Sequence, residues 1–494
     1  MYFLTLDIGT TALKCCIFDT ELRIVKKSSV EYTLNISSEG HITLDPEIYW
    51  QSIVKAVGEN ISNISPSDIT AVGVTTQGET LISIDREGSP LTDAVVWLDA
   101  RAEEEARFLR SRISDDEYYA HTGISAIDPA NPICKLLWFK NNAPEIYEAA
   151  YKFLLLEDYI LFRLSGKFIT EDSIMSSTGY LDITTGKLWD KILDAASIDS
   201  AKIPDITRPG TVVGKLTEHA AQDLGISPGI PVICGAMDQV CSAVGAGNVR
   251  PGIITETTGT ALAVCATVER FCPNPKDIYR SAVFRHVCGR YIMMPYNPTA
   301  GIILKWFKEQ FMESKIDYIR IDRMSAEGAA GKNGLFVIPH FAGKLSPEYA
   351  GAMKGAFIGL TLNTKTADLL RAIMESIAFM LRENIDMLNA MSVETRAVYS
   401  LGGGANSAFW SQLKADICRV PIRSLTVSES TSLGMAVLMA TAMGYYSSVD
   451  EIAANIAPDY REYTPSANNN YEEIYVEYLK ADKLMRKLYE TTHD

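Results

Sequence analysis

A glycine and threonine turn near the start of the chain has the composition of a phosphate-binding loop. Asp7-Ile8-Gly9-Thr10-Thr11 lies between the apolar residues 3–6 and 13–18, which predicts a β-hairpin with these five residues in its turn. Glycine in a tight turn exposes backbone N–H groups, and threonine hydroxyls add further donors. Asp7 would repel a phosphate unless a cation lay between them, and Mg²⁺ held by a carboxylate and water meets that need. An ordinary hairpin turn explains the same residues equally well.

A second segment of the same design begins about half a chain later. Residues 252–255 lead into Thr257-Thr258-Gly259-Thr260, and the apolar residues 261–266 follow. So short a match can arise by chance, but its position divides the chain into near-equal halves. The segment 245–252, rich in glycine and alanine, lies just ahead of it. We therefore predict two lobes, residues 1–248 and 249–494, that each contain such a hairpin.

A glycine run in the second half has the features of a nucleotide loop. Gly402-Gly403-Gly404-Ala405-Asn406 follows the apolar residues 398–401 and precedes a predicted helix through Trp410. Glycines let a nucleotide approach the backbone, and a helix N-terminus favours an anion. The spacing differs from G-x-G-x-x-G, so a dinucleotide fingerprint is not supported. A flexible turn between strand and helix remains the other interpretation.

Polar residues follow three apolar segments of the first half. Asp238 and Gln239 come after residues 231–234, at the place where open α/β sheets hold ligands. There Asp238 could accept the proton of an attacking hydroxyl, or it could merely cap the next helix. Residues 75–80 and 97–101 are dense in hydrogen-bonding side chains, which suits a polyhydroxylated ligand. Turn polarity and a surface Asp–Arg pair explain those two segments equally well.

Helices and strands alternate along the chain, which predicts an α/β fold. Asp45-Pro46-Glu47 is a helix start, and apolar residues recur at helical spacing over 366–391, with another helix over 430–443. Four short apolar runs predict buried strands at 71–74, 231–234, 335–338 and 398–401.

Composition limits the class of protein. With 494 residues and 47% hydrophobic content, the chain is long enough for two large domains. A net charge of −15 disfavours nucleic acid and anionic membrane as partners. The nine cysteines include no C-x-x-C pair, so we expect free thiols in a reducing compartment and no structural zinc. Neither a signal peptide nor an apolar run of about 18 residues is present, and we expect a cytoplasmic protein.

Taken together, these elements resemble the FGGY carbohydrate kinases, a branch of the actin and hexokinase-like ATPases. The most specific match is Gly355 to Leu360, then seven residues, then Asp368 to Glu375, which fits the family's C-terminal signature at every defined position. The earlier signature is matched from Pro132 to Asn142, whereas Ala130 departs from it. The resemblance covers nearly the whole chain. It implies two actin/hexokinase-like (ribonuclease H-like) lobes with a cleft between them.

The resemblance also implies a role for each residue that matches a family motif. Asp7 would hold Mg²⁺ through water, and Asp238 would be the catalytic base. The residues expected to bind ATP are Thr10, Thr11, Lys14, Gly259, Thr260, Gly301, Lys305, Gly403, Gly404 and Asn406. The residues expected to contact the substrate are Gln77, Gly78, Glu79, Asp99 and Gln239. ATP and Mg²⁺ are thus the expected cofactors, and a homodimer is an open expectation because many relatives pair.

The substrate is less clearly indicated. Glycerol kinases of the family carry Arg-Glu where this chain has Gly78-Glu79 and an aromatic residue where it has Ala130, while xylulose kinases carry Met-His at the first position. Two small residues enlarge the pocket, so we expect a ketopentose such as xylulose rather than glycerol. The loop Gly343 to Pro347 departs from that of xylulose kinases, which weakens the specific assignment to D-xylulose. A polyol kinase, an actin-like ATPase and a sugar sensor without phosphotransfer remain alternatives.

Overall fold

Two β-sheets of similar design lie at the centres of the two halves of the chain. The computed structural model describes residues 1–273, 280–312, 316–329, 331–426, 429–455, 459–467 and 470–490. The strands of the first half are β1 (Tyr2–Ile8), β2 (Ala12–Asp19), β3 (Ile24–Glu31), β4 (Asn35–Ile36), β5 (Ile42–Leu44), β6 (Ile69–Thr76), β7 (Leu81–Ile84), β8 (Ala94–Val95), β9 (Lys152–Leu155), β10 (Ile169–Glu171), β11 (Leu181–Asp182), β12 (Lys187–Leu188), β13 (Asp205–Thr207), β14 (Val212–Lys215) and β15 (Pro231–Met237). Those of the second half are β16 (Gly252–Thr258), β17 (Leu262–Val268), β18 (Ala282–Arg285), β19 (Tyr291–Met294), β20 (Tyr296–Asn297), β21 (Phe336–Ile338), β22 (Ala356–Ile358), β23 (Thr395–Leu401), β24 (Ile422–Leu425) and β25 (Tyr460–Tyr463).

Helices cover the sheets and connect their strands. Those of the first half are α1 (Pro46–Ile61), α2 (Glu103–Arg110), α3 (Asp115–Thr122), α4 (Pro132–Asn142), α5 (Pro144–Ala149), α6 (Leu156–Ser165), α7 (Asp172–Met175), α8 (Asp190–Ala196), α9 (Glu218–Leu224) and α10 (Asp238–Gly245). Those of the second half are α11 (Gly301–Phe311), α12 (Tyr318–Glu327), α13 (Thr366–Ala390), α14 (Ala408–Cys418), α15 (Ser430–Ala442), α16 (Val449–Asn455) and α17 (Tyr471–Glu490). Among the described residues, no helix combines the length and the apolar composition that crossing a membrane requires.

The first sheet brings the ends of three parallel strands to one edge. Its strand order is β14-β15-β6-β1-β2-β3, in which β6 runs parallel to both β1 and β15, whereas β2 runs antiparallel to β1. Asp7 lies opposite Lys14 of β2 and Thr75 of β6. Because parallel strands end on the same side of a sheet, Asp7, Gln77 and Asp238 come to one edge.

The second sheet repeats this arrangement. Strand β16 pairs antiparallel with β17 and parallel with β23, which in turn pairs parallel with β24. Thr257 near the end of β16 lies opposite Leu401 at the end of β23. The second hairpin turn and the glycine run after β23 are therefore neighbours, and the predicted two-lobed α/β architecture is confirmed.

Most of the predicted elements form, with one correction. The side chain of Asp45 accepts the backbone N–H of Glu47 at the start of α1, and α13 and α15 end one residue before their predicted limits. Asp7, which we placed in the hairpin turn, belongs to β1 instead. It pairs in the sheet because the register of β1 and β2 runs on to Ile8 and Leu13, so the turn is shorter than predicted.

The cysteines are free thiols, as expected. All nine are unpaired, and seven of them are buried. The two exposed thiols are Cys272 and Cys288.

Helices α10 and α15 cross at the distance of backbone contact and join the two halves. A Cβ atom at Gly434 of α15 would overlap the carbonyl oxygen of Cys241 in α10, and one at Gly245 of α10 would overlap that of Ser430. Although α15 lies in the second half of the sequence, it packs on β1 and β6 of the first sheet. A division after residue 248, which we retain as a proposal, thus separates the two sheets while α15 covers the first of them.

The glycine at this crossing is the basis of a stability prediction. Gly434→Ala should lower the free energy of unfolding by about 1–3 kcal/mol, because overpacking displaces the neighbouring backbone. Gly58→Ala is the matched control, since Gly58 is an exposed glycine in α1 and a Cβ atom there would meet no other atom within 4 Å. That variant should gain about 0.5–1 kcal/mol from the helix propensity of alanine. Urea denaturation measures both, and equal stability of Gly434→Ala and the wild type would contradict the crossing.

Candidate active site

A buried carboxylate, Asp7, and a half-buried one, Asp238, lie at the shared edge of the first sheet. Burial and the negative charge of Asp238 together raise the pKa of Asp7 to about 7, against the opposing effect of Lys14. Burial also raises the pKa of Asp238 to about 6, although the backbone N–H of Gln239 donates to its Oδ1 at 2.6 Å and works in the other direction. Since each carboxylate disfavours ionisation of a near neighbour, the edge is electrostatically suited to a cation or to a proton donor.

The residues at this edge fit a magnesium ion whose other ligands are mostly water molecules and phosphate oxygens. Asp7 is 8% exposed and carries a carboxylate whose ionisation is suppressed by burial and by Asp238, so a cation would relieve both effects. Within the described ranges no group of three metal-ligating side chains occurs, which excludes a cage made by those residues alone. Mg²⁺ is typically held by one or two carboxylates together with substrate phosphates.

A buried hydrogen-bond chain links the first hairpin to the predicted substrate residues. The Thr10 hydroxyl donates to Gln77 Oε1 at 2.7 Å and accepts from Trp97 Nε1 at 2.9 Å. Gln77 Nε2 in turn donates to the Thr80 hydroxyl at 3.2 Å. The Thr10 hydroxyl is thus engaged with Gln77 and Trp97, and the phosphate contact predicted for this residue would have to use its backbone N–H.

Glu79 stands in an unusual backbone conformation above a buried lysine. Its φ of 64° lies in the left-handed region, and Lys135 Nζ donates to its carbonyl oxygen at 3.2 Å and to that of Val96 at 3.0 Å. Burial raises the pKa of the Glu79 carboxyl and lowers that of the Lys135 ammonium. Lys135 was noted in the sequence only as part of a signature. Here it fixes the backbone that presents Glu79.

Asp99 does not point a free carboxylate into the cleft. Its Oδ1 accepts from the backbone N–H of Arg101 at 3.0 Å and from its Nε at 2.8 Å, and its Oδ2 accepts from Arg101 Nη2 at 2.7 Å and from the Ile42 N–H at 2.6 Å. Although burial would raise the pKa of Asp99, these donors hold it below its usual value. The guanidinium lies over the Trp138 ring at 4.9 Å. With four donors already in place, the Asp99 carboxylate has little capacity left to accept a substrate hydroxyl, and the substrate contact stays a prediction.

The predicted nucleotide residues of the second half meet in one cavity of about 440 Å³. The seven that line it are Gly259, Thr260, Gly301, Lys305, Gly403, Gly404 and Asn406. A Cβ atom at Gly301 would lie 2.5 Å from the carbonyl oxygen of Gly259, so the start of α11 touches the second hairpin turn. Sequence reasoning missed the rest of the wall, which comprises Thr258, Ile302, Leu304, Tyr318, Ile319, Asp322, Met374, Ser407 and Trp410. Most of these lie on helices and carry no loop motif, so no local signal marks them.

Thr11 and Lys14 lie on the first hairpin, outside this cavity. Lys14 Nζ is 3.1 Å from Glu429, the residue before α15, and Lys27 Nζ is 3.2 Å from the same carboxylate. Thr11 is exposed, and its carbonyl oxygen accepts from the Tyr32 N–H at 2.9 Å. A phosphate contact by Lys14 would therefore compete with an ion pair that bridges the two halves of the chain.

The two roles available to Asp99 make different predictions. Asp99→Asn should lower the free energy of unfolding by about 3–5 kcal/mol, because it removes one partner of a buried ion pair. Asp93→Asn is the control, because Asp93 is exposed and accepts a side-chain hydrogen bond from Thr43 at 3.2 Å. It should change stability by less than about 0.5 kcal/mol. If Asp99→Asn impaired activity but melted like the wild type, Asp99 would instead be a direct substrate contact.

Comparison with known proteins relates this geometry to a family. The FGGY family of carbohydrate kinases matches with its N-terminal domain over residues 2–245 and with its C-terminal domain over residues 257–443. A xylulose kinase of Staphylococcus xylosus is 27% identical over 480 residues, covering 96% of this chain and 98% of that protein. A gluconokinase of Bacillus subtilis (strain 168) is 25% identical over 501 residues, covering 99% and 97%.

The fold also agrees with that of solved kinases. The ligand-bound xylulose kinase from Lactobacillus acidophilus superimposes with a TM-score of 0.92 at 25% identity, covering 99% of each chain. This agreement confirms the two-lobed, actin-like α/β fold predicted from the sequence. The chain therefore belongs to the FGGY family of carbohydrate kinases, and it is an ATP-dependent sugar kinase.

Proposed function

We propose that this kinase transfers the γ-phosphate of Mg-ATP to a hydroxyl of a small neutral sugar, a ketopentose such as xylulose, with Asp238 as the general base. The observation that carries the proposal is the position of Asp7 and Asp238 at one sheet edge, where burial raises the pKa of both. One carboxylate there suits a cation, and the other suits a hydroxyl proton. The xylulose kinase relatives support the choice of a ketopentose.

In the proposed mechanism the protein mainly positions its reactants. Asp238 accepts a hydrogen bond from the attacking hydroxyl and takes its proton late, as expected for a loose transition state. A pKa of about 6 makes Asp238 a better base than an exposed aspartate while leaving it largely ionised at neutral pH. When bound, Mg²⁺ supplies neutralisation of phosphate charge. The backbone N–H groups of the two hairpin turns are proposed to align the phosphates.

Charge on the substrate side favours a neutral sugar over a sugar acid. Burial raises the pKa of the Glu79 carboxyl, the Lys135 ammonium opposes this shift, Asp128 adds to it, and Asp238 lies at the adjoining edge. The neighbouring cations are already engaged, since Lys135 donates to two carbonyl oxygens and Arg101 is paired with Asp99. A substrate carboxylate would meet like charges without a dedicated partner. Although a gluconokinase is among the relatives, this argument points away from gluconate.

The small residues at positions 78 and 130 support a ligand larger than glycerol. Gly78 is backed by the Ser177 hydroxyl, which would lie 2.9 Å from a Cβ atom at residue 78. Ala130 occupies a half-buried turn position, and its backbone N–H donates to the carboxylate of Asp128. Neither residue projects bulk into the pocket as the Arg and aromatic side chains of glycerol kinases would. A polyol kinase of the glycerol or erythritol type is the second candidate, because Glu79 and Gln239 match that class.

Two further features remain proposals. The net charge of −15 and the nine free thiols are in keeping with a cytoplasmic enzyme. A homodimer is proposed only because many family members pair, and size-exclusion chromatography with light scattering would measure it.

A substrate panel tests the proposed selectivity. With Mg-ATP and ADP release as the readout, D-xylulose, D-ribulose or an L-ketopentose should exceed glycerol, erythritol and D-gluconate in kcat/KM by at least about tenfold. Glu79→Gln should reduce the difference in kcat/KM between the ketopentoses and D-gluconate in particular, because it removes one charge that repels the carboxylate of gluconate. Preference for glycerol or erythritol would establish the polyol alternative, and preference for gluconate would refute the charge argument.

Replacement of Asp238 tests whether this residue is the general base. Asp238→Ala should lower kcat by about 10²–10⁴-fold, while the affinity for Mg-ADP measured by calorimetry stays near the wild-type value. Asp238→Asn keeps the shape of the side chain but cannot accept the proton as a carboxylate does, so it should be impaired to a similar degree. Near-normal sugar turnover in either variant would show that another group is the base.

A further inference from the structure

A fully buried ion pair lies beneath the predicted nucleotide loops of the second half. Lys414 of α14 and Glu256 of β16 are both 0% exposed, and Lys414 Nζ lies 2.6 Å from Glu256 Oε1. The Ser400 hydroxyl of β23 donates to the same oxygen. The pair thus joins a helix and two neighbouring strands.

The pair also determines the orientation of Thr258. Its hydroxyl accepts from Lys414 Nζ at 2.9 Å and donates to Glu256 Oε2 at 2.7 Å. Because both the donor and the acceptor capacity of this hydroxyl are used, the Thr258 side chain has one favoured orientation. Thr258 is the last residue of β16 and directly precedes Gly259 in the second hairpin turn.

Thr258 is in turn the spacer between the two predicted nucleotide loops. A Cβ atom at Gly404 would lie 2.8 Å from Thr258 Cβ, so the glycine run rests against this side chain. Thr258 and Gly404 also line the same cavity. Movement of Thr258 would therefore change the distance between the hairpin turn and the glycine run.

The Lys414 ammonium group also lies close to a second part of the cavity wall. Lys414 Nζ lies 5.2 Å from the centre of the Trp410 ring, and Trp410 lines the cavity. The indole N–H donates to the backbone carbonyl of Met374, another lining residue, at 3.0 Å. Two walls of the cavity thus depend on the position of one buried charge.

Stability alone is a weak reason for such a pair, because desolvation of two charges offsets most of their attraction. We propose that Lys414 and Glu256 are positioning residues for the nucleotide, which act through Thr258 to hold the hairpin turn and the glycine run at the spacing that ATP requires. This inference rests on the proposed use of the cavity by ATP.

Thr258→Val is the most direct test, because valine keeps the volume and leaves both charged partners in place. The Kd for Mg-ADP and the KM for ATP should rise about tenfold, the equivalent of one hydrogen bond to a charged group, while the KM for the sugar stays within twofold. Ser411→Ala is the matched control, since Ser411 is buried on the same helix and bonds to Ser424 at 2.9 Å. That control should leave both KM values unchanged.

A double variant separates positioning from folding. Lys414→Met with Glu256→Gln removes both charges, so it avoids the unpaired buried charge that either single change would leave. It should melt close to the wild type, yet bind Mg-ADP about tenfold more weakly, as Thr258→Val does. Wild-type Mg-ADP affinity in both variants would overturn the inference and make the pair purely structural.

Failure of the proposed sugar reaction can be distinguished from failure of the positioning role of Lys414 and Glu256. If the wild type binds Mg-ADP but releases no ADP with any sugar, the proposed substrate class fails while the nucleotide measurements still decide the role of the pair. If the wild type binds no Mg-ADP, the proposed use of the cavity and this inference fail together.

Discussion

The backbone contact between α10 and α15 is the constraint on which the rest of the active-site geometry depends. Glycines at Gly245 and Gly434 allow the two helices to approach closer than any side chain would permit. Asp238 is the first residue of α10, and Glu429 directly precedes α15. The crossing therefore sets the position of the proposed base and of the carboxylate that binds Lys14. A looser crossing would displace both ends together.

The edge of the first sheet brings two carboxylates together. Asp7 is buried and Asp238 is half-buried, the charge of Asp238 raises the pKa of Asp7, and Lys14, which lowers that pKa, lies 3.1 Å from Glu429. Such an arrangement is unfavourable in an empty protein and becomes favourable when a cation and a hydroxyl donor arrive. The raised pKa values and the ion pair across the halves are thus in keeping with the proposed binding of a cation and a hydroxylated ligand at this edge.

Local patterns in the sequence predicted the structural elements that depend on neighbouring residues. Both hairpins, the glycine run, α1, α13 and α15 could be recognised, because turn residues and helical periodicity report the conformation of neighbouring residues. The packing of α15 on the sheet of the other half could not be, since the pattern shows an apolar helix but not its partner. The cavity wall contributed by Tyr318, Asp322 and Trp410 was missed for the same reason.

At two positions the residue type alone did not predict which contacts the side chain makes. Asp99 matched a substrate-contacting position, and the Asp–Arg pair that the sequence also offered does form, but it is buried rather than on the surface and the Ile42 N–H adds a further donor. Lys135 appeared only as part of a signature, although it fixes the backbone at Glu79. The Ile42 contact with Asp99 and the Lys135 contact with Glu79 join residues 57 and 56 positions apart, which spacing along the chain does not encode.

The two hairpins show how one design has been adapted to different tasks. Each carries an acidic residue a few positions before its glycine, Asp7 before Gly9 and Glu256 before Gly259. In the first hairpin the acid faces another carboxylate, so it is suited to an exchangeable cation. In the second hairpin the acid is neutralised permanently by Lys414. A buried lysine cannot leave when product departs, whereas a metal ion can. With Mg²⁺ bound as proposed, the chain would combine an exchangeable positive charge near the proposed base with a fixed one beneath the proposed nucleotide loops, because Glu256 pairs with a buried lysine whereas Lys14, the cation that acts on Asp7, pairs with Glu429.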